Sequence, residues 1–321
     1  MTRLPQTIHL PEKTRTGKYA RPAPVPGRRI GIHTSIAGAI SRAPERAHQL
    51  GCNTFQIFST SPRQWKASQV SAAEARLFHQ AREKHGLRPL VIHANYLVNL
   101  ASPNAEIRRK SIESFRAELE RAVLLGAEYL VTHPGSALNG DRIQAMARFI
   151  SGVERAARGL RLGGLTVLVE NTAGGGGALG SEFEELRAFV QLTERVPLAC
   201  CIDTAHLYQS GWDVSTEKGL AATLARLDAA VGLDNIPVIH TNDSRTALGS
   251  RADRHQHIGK GGIGLAGFRR ILNHPRLRHK AFILETPIDK KGDDLRNLDV
   301  ARSLVQGTRK APRNPRTRSN D

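Results

Sequence analysis

The sequence holds only three cysteines, Cys52, Cys200 and Cys201, with no CxxC pair among them. The odd count leaves no disulfide framework, so a reducing compartment fits, and a thiolate-built structural zinc site is excluded. No apolar run approaches the roughly 18 residues of a membrane span, and the first 29 residues lack the hydrophobic stretch of a secretory signal. The expectation is a soluble cytoplasmic protein with no membrane partner. The Arg-rich start is also interrupted by Pro5, Pro11, Pro22, Pro24 and Pro26, which forbid the amphipathic helix of an organellar transit peptide. Acidic residues are scarce as well: 29 Asp and Glu stand against 47 Lys and Arg, a net charge of +18. Such an imbalance implies an acidic partner, either nucleic acid or an anionic membrane surface.

The charge is concentrated at the ends. Residues 1–29 carry +6, residues 307–321 carry +4, and the stretch between them carries the remaining +8. Both ends are rich in Pro, Arg and Thr without helical periodicity, so 1–28 and 306–321 read as disordered basic arms. Between them, 29–305 reads as one domain, since 321 residues at 40% apolar content can bury one sizeable core.

Within that domain, short β-branched or apolar runs recur, each ending in a polar residue and followed by a segment of helical period. There are eight: 29–33 (RIGIH), 54–58 (TFQIF), 89–93 (PLVIH), 129–133 (YLVTH), 166–170 (TVLVE), 199–203 (ACCID), 237–241 (PVIHT) and 281–285 (AFILE). A helix is expected over 107–125, with Ile112, Phe115, Leu119 and Val123 as its apolar face and Gly126 as its stop. Another is expected to open at Ser181 with a capping box to Glu184. Near-continuous apolar strands alternating with helices imply a parallel sheet buried on both faces. Eight such units predict a (β/α)8 TIM barrel, whose active site forms at the carboxyl ends of the strands.

The residues at those ends are His33, His93, His133, Glu170, Asp203, His240 and Glu285. So many ionisable groups at one end of a barrel need charge to pair with, and are not core filler. Asp203-Thr-Ala-His206 adds a ligand three residues on, and Asp253-Arg-His255 adds two more after the seventh strand. The candidate metal ligands are therefore His93, His133, Glu170, Asp203, His206, His240, Asp253, His255 and Glu285. Imidazole and carboxylate without thiolate suit catalytic zinc, and manganese as well. Four carboxylates neutralise two divalent ions, and a third ion leaves the positive charge that an anionic phosphodiester would balance.

Several stretches together resemble the endonuclease IV family, also called AP endonuclease family 2, over about residues 29–305. They are GIHTSIAG (31–38), RQW (63–65), HANYLVNL (93–100), THPGS (132–136), VENTAG (169–174), CIDTAH (201–206), HTNDS (240–244), GSRADRHQHIG (249–259) and ILET (283–286). The resemblance implies an apurinic/apyrimidinic endonuclease of base excision repair, acting on double-stranded DNA with three zinc ions. Cleavage falls on the phosphodiester 5′ to the abasic sugar, leaving a 3′-hydroxyl and a 5′-deoxyribose phosphate. Glu170 bridges two ions, His93 and His133 complete the first, and Asp203, His240 and Glu285 complete the second. His206, Asp253 and His255 hold the third, and Glu170 and Glu285 count as catalytic. No side-chain nucleophile is required, in keeping with the lack of a Ser or Cys elbow.

Arg63, Tyr96 and Leu97 resemble the family's loop residues that intrude into the base stack, and they are the candidate DNA contacts. Trp65 is expected in a loop core. The chain departs from common family forms at Gln256 and Lys260, where acidic residues are usual, at Ala205, and in the string Gly174 to Gly177. None of these is a ligand, and His33 is assigned no ligand role. The first two remove negative charge beside the third ion, which favours phosphate. A monomer associated with the nucleoid completes the expectation. Two other readings compete. A sugar isomerase or epimerase of the xylose-isomerase type shares the barrel but lacks the third-ion module, and a noncatalytic DNA-binding protein would need only Lys and Arg.

Overall fold

The computed structural model describes residues 24–65, 69–193 and 195–305. The basic arms expected at 1–28 and 306–321 lie outside the described residues except for 24–28, where Val25 is buried in the core.

Eight parallel strands form the described sheet: β1 (Arg29–Ile32), β2 (Phe55–Phe58), β3 (Leu90–His93), β4 (Tyr129–Thr132), β5 (Thr166–Glu170), β6 (Leu198–Asp203), β7 (Val238–His240) and β10 (Ala281–Leu284). Their order is β1-β10-β7-β6-β5-β4-β3-β2. The ring closes between β1 and β2 through the bridge of His33 with Gln56, where the Thr34 amide donates to the Gln56 carbonyl at 2.8 Å. Here Gly31 is required: a Cβ on it would sit 1.9 Å from the Thr54 carbonyl oxygen. The TIM barrel expected from the repeated βα pattern is the observed fold.

The helices α1 (Ala43–Gln49), α2 (Ala72–Lys84), α3 (Ala105–Leu124), α4 (Arg142–Ala157), α5 (Phe183–Leu192), α6 (Thr204–Ser210), α7 (Glu217–Ala230), α8 (Gly264–Asn273) and α9 (Asp293–Ser303) cover the outside. An antiparallel pair of two-residue strands, β8 (Asp243–Ser244) and β9 (His255–Gln256), is inserted after β7.

Side chains alternate along each strand, and this alternation builds the site. Outward residues such as Ile30, Ile92, Leu130, Val167, Ile202 and Phe282 join the large core shared with the helices. Inward residues form a second cluster inside the barrel: Val91, Val131, Leu168, Ala199, Cys201, Val238, Ala281 and Ile283. One period of two beyond these come His93, His133, Glu170, Asp203, His240 and Glu285. The same pleat that fills the barrel with apolar side chains therefore presents the polar ones as its next layer.

Three local expectations need correction. α5 begins at Phe183 with Glu182 as N-cap, so Ser181 and Glu184 form no capping box. Glu185, not Glu184, turns back to accept the Gly180 amide at 2.7 Å, while the Ser181 carbonyl accepts from the Trp212 indole. On α3, Val123 is 40% exposed and Ala122 is buried in its place. Trp65 is not loop core: it is exposed.

Candidate metal centre

All nine candidate ligands lie at one end of the barrel, at or just beyond the strand termini or in the loop after β7. Among the described residues their donor atoms fall into three groups, each within 4.8 Å: His93, His133 and Glu170; Glu170, Asp203, His240 and Glu285; and Asp203, His206 and His255. Asp253, the one ligand candidate not in a group, still places its carboxylate 3.3 Å from His206 Nε2 and 3.6 Å from His255 Nε2. The third group thus has both Asp203 and Asp253 beside its two histidines.

Glu170 is buried between the first two groups. Its Oε2 lies 3.2 Å from His93 Nε2 and 3.5 Å from His133 Nε2, while Oε1 lies 2.9 Å from His240 Nδ1 and 3.4 Å from His206 Nδ1. Each oxygen therefore faces a different group. Asp203 ends β6 and caps α6, its Oδ1 accepting the His206 amide at 2.9 Å. That cap explains the DTAH spacing, because it puts His206 on the first helical turn beside the strand end. Asn242 donates to Asp203 Oδ2 at 2.6 Å and accepts the Glu285 amide at 2.8 Å, tying two ligand strands together.

The loop carrying Asp253 and His255 is organised by a residue the sequence did not single out. Asp243 is fully buried, and its carboxylate accepts the amides of Ser244, Gly259, Gly261, Ile263 and Gly264 at 2.8–3.3 Å. The glycine string braces the same loop, since a Cβ on Gly175 would lie 2.4 Å from the Arg251 carbonyl oxygen. Gln56 was also missed; its buried amide contacts His240, Glu285 and His33. The available signal was a lone polar residue on the inward face of an apolar strand.

Electrostatics and donor chemistry test whether cations fit here. Burial alone would raise the Glu170 carboxyl, yet His240, His133 and His206 hold it well below the usual carboxylate range. Burial is likewise outweighed at Asp253, which His206 draws down to about 2. Against their own burial, His206 is raised well above its ordinary value by Asp203, Asp253 and Glu170, and His240 by the ionised carboxylates of Glu170 and Glu285. Positive charge at this position is what the carboxylates demand, and protons on the rings supply it where metal would. One atom is left over: His255 Nε2 is buried without a hydrogen-bond partner, 3.6 Å from oxygens of both Asp203 and Asp253. Donor separations of 3.2–3.6 Å recur between rings and carboxylates. They match the edge of a tetrahedron about zinc, roughly 3.3–3.6 Å for bonds of about 2.0–2.2 Å. The residues fit the metal.

Above the groups opens a cleft of about 460 Å³. Tyr96 stands on its rim, 61% exposed, its ring edge-on to Phe58 with centroids 5.1 Å apart. The Tyr96 amide donates to the Pro62 carbonyl at 3.1 Å, so the loops bearing Arg63 and Tyr96-Leu97 are joined. Arg63 is exposed and Leu97 half-buried. Ile288, 65% exposed, also lines the cleft and was not anticipated.

Comparisons with known proteins agree with this architecture. The sequence matches the family described as xylose isomerase-like TIM barrel over residues 44–310. A protein of Solibacter usitatus named probable endonuclease 4 is 52% identical over 280 residues, covering 86% of this chain and 97% of that one. The crystal structure of endonuclease IV from Thermus thermophilus superposes with a TM-score of 0.78 at 45% identity, covering 86% of this chain and 98% of that one. A D-tagatose 3-epimerase-like protein shares the fold alone, at 19% identity and a TM-score of 0.65 over 86% of this chain and 96% of that one. On sequence, fold and the length matched, the chain belongs to the endonuclease IV family, within the xylose isomerase-like TIM barrels.

Proposed function

We propose that this chain hydrolyses the phosphodiester 5′ to an abasic site in duplex DNA, as a zinc-dependent endonuclease of base excision repair. The observation that carries the reading is the convergence of nine imidazole and carboxylate groups on adjoining donor groups, seven of them lining one cleft and Asp203 and His240 buried beside them. In it, His93, His133 and Glu170 hold one zinc ion, Glu170, Asp203, His240 and Glu285 a second, and His206, Asp253 and His255 a third. Manganese suits the same donors. When bound, the ions polarise the phosphate, activate water at neutral pH and stabilise the leaving oxygen.

The chain's own side chains bind and orient. Glu170 and Glu285 supply the negative charge that keeps the ions close together and fixed. Arg63 and the Tyr96-Leu97 pair enter the base stack and fill the gap left by the missing base, a wedge role for which an exposed aromatic ring is suited. The basic arms at 1–28 and 306–321 add phosphate attraction without lesion information. The domain spans 29–305, with Val25 just ahead of it packed into the same core, and acts as a monomer at the nucleoid. Metal analysis of purified protein, paired with nicking of a duplex bearing one abasic site and of an intact duplex, tests the reading. Zinc near three per chain with cleavage confined to the lesion is expected; a zinc-free protein that nicks neither duplex refutes it.

A further inference from the structure

His240 is held differently from its neighbours. On His93, His206 and His255, Nδ1 meets a main-chain carbonyl, that of Ala94, Asn171 and Glu285, at 2.7, 2.9 and 3.2 Å. A carbonyl only accepts, so in each ring Nδ1 carries a proton, which leaves Nε2 as the nitrogen able to offer a lone pair to a metal. His240 is turned the other way. Its Nδ1 faces Glu170 at 2.9 Å and Glu285 at 3.3 Å, and its Nε2 meets the side-chain Oε1 of Gln56 at 2.8 Å.

Gln56 is fully buried on the inward face of β2, at the bridge that closes the barrel. An amide can be placed either way round, and its neighbours decide which. Gln56 Nε2 lies 2.5 Å from Glu285 Oε1 and 2.9 Å from His33 Nδ1. The Glu285 carboxylate can only accept, and reversing the amide would set oxygen against oxygen. The NH2 group therefore faces Glu285, which leaves Oε1 facing His240, and an acceptor there requires a proton on His240 Nε2.

We propose that Gln56 is a positioning residue for the group formed by Glu170, Asp203, His240 and Glu285. It fixes His240 as the Nε2–H tautomer, so that Nδ1 presents its lone pair toward the carboxylates. It also engages Oε1 of Glu285, leaving Oε2 as the oxygen turned to His240 Nδ1. One amide thus orients two ligands contributed by different strands. The assignment rests on the reading of these residues as metal ligands. Hydrogen-bond partners behind metal ligands are typically worth about 10- to 100-fold in metal affinity or activity.

Gln56→Met keeps the length and packing of the side chain while removing both hydrogen bonds. Apo forms of the wild type and of this variant are titrated with zinc against a competing chelator. One ion is expected to bind about 10- to 100-fold more weakly in the variant, with the rest unchanged. Affinity for every ion within about twofold of wild type overturns the proposal alone, since twofold is well below that range. A wild type that binds no zinc overturns the ligand reading with it. A second measurement needs no variant: in ring-15N-labelled, zinc-loaded wild-type protein, the His240 signal, assigned through its contact with the Gln56 amide, should show a protonated Nε2. A protonated Nδ1 overturns the proposal however the variant behaves.

Discussion

Glu170→Gln is expected to abolish nicking while leaving the barrel folded. The substitution changes almost no volume, and the side chain is buried at the top of β5, where the strand beneath it is already fixed by neighbours on both sides. What changes is charge and coordination. Each carboxylate oxygen faces its own pair of histidines, at 3.2 and 3.5 Å on one side and 2.9 and 3.4 Å on the other. A glutamine can offer its oxygen to one side only and turns an NH2 donor on the other, so one ion loses a ligand and both lose the shared negative charge. A metal contact to the reacting phosphate is worth several kcal/mol. Losing about 4 kcal/mol lowers the rate about 1000-fold. The assay is kcat/KM for nicking an abasic duplex, with bound zinc measured on the same samples and the far-ultraviolet circular dichroism spectrum as the check on folding. Glu120→Gln, which removes an exposed partner of Arg116 on the outer helix α3, serves as control and should leave nicking unchanged. A Glu170→Gln protein that keeps more than about a tenth of the wild-type rate has lost less than about 1.4 kcal/mol, too little for a shared metal ligand. That result would refute the bridging role.

Asp243→Asn should cost about 2–4 kcal/mol in urea denaturation and lower zinc content, because an amide cannot accept all the backbone N–H bonds that this buried carboxylate collects; a loss below about 1 kcal/mol counts against it as the loop's organiser. Gly31→Ala should prevent folding or cost more than about 3 kcal/mol, since its Cβ would strike the Thr54 carbonyl where the barrel closes, and a near-wild-type melting temperature would contradict that packing. Burial pushes the Cys52 thiol up to about 12 and the Cys201 thiol up to about 11, and raises Cys200 as well, so fewer than about one in 1000 of these groups is thiolate at pH 8. Native protein should accordingly be inert to a thiol-reactive chromophore for minutes and titrate three thiols once denatured; prompt native labelling would contradict the burial. Removing residues 1–23 and 307–321 deletes ten Lys and Arg, and if about four of them touch phosphates the log-log salt dependence of DNA binding should fall by roughly four. Preference for abasic over intact duplex should survive the trimming, and its loss would place lesion recognition in the arms.

Much of this molecule is written locally. Runs such as LVIH and TVLVE are apolar enough to be buried strands wherever they lie, and a period of two sends their last residues, His93 and Glu170, to the face that Val91 and Leu168 already occupy. The DTAH spacing is equally local, because a capping aspartate at the end of a strand sets the residue three positions on. Contacts between distant segments were not legible in this way. Gln56 reads as one polar residue in β2, and only closure of the ring brings it against His240, 184 residues away, and Glu285, 229 residues away. Asp243 looked like part of a motif and proved to be the anchor of a loop through amides up to 21 residues on. Helix faces failed for a related reason: the pattern of Ile112, Phe115, Leu119 and Val123 marks an apolar stripe, but which part is covered depends on the neighbouring helices, and Val123 was left to solvent. The sequence determines which residues are available at the mouth of the barrel. Which atom of each faces its neighbour is decided by hydrogen bonds across the closed sheet, and these exist only after the chain has brought its first strand against its last.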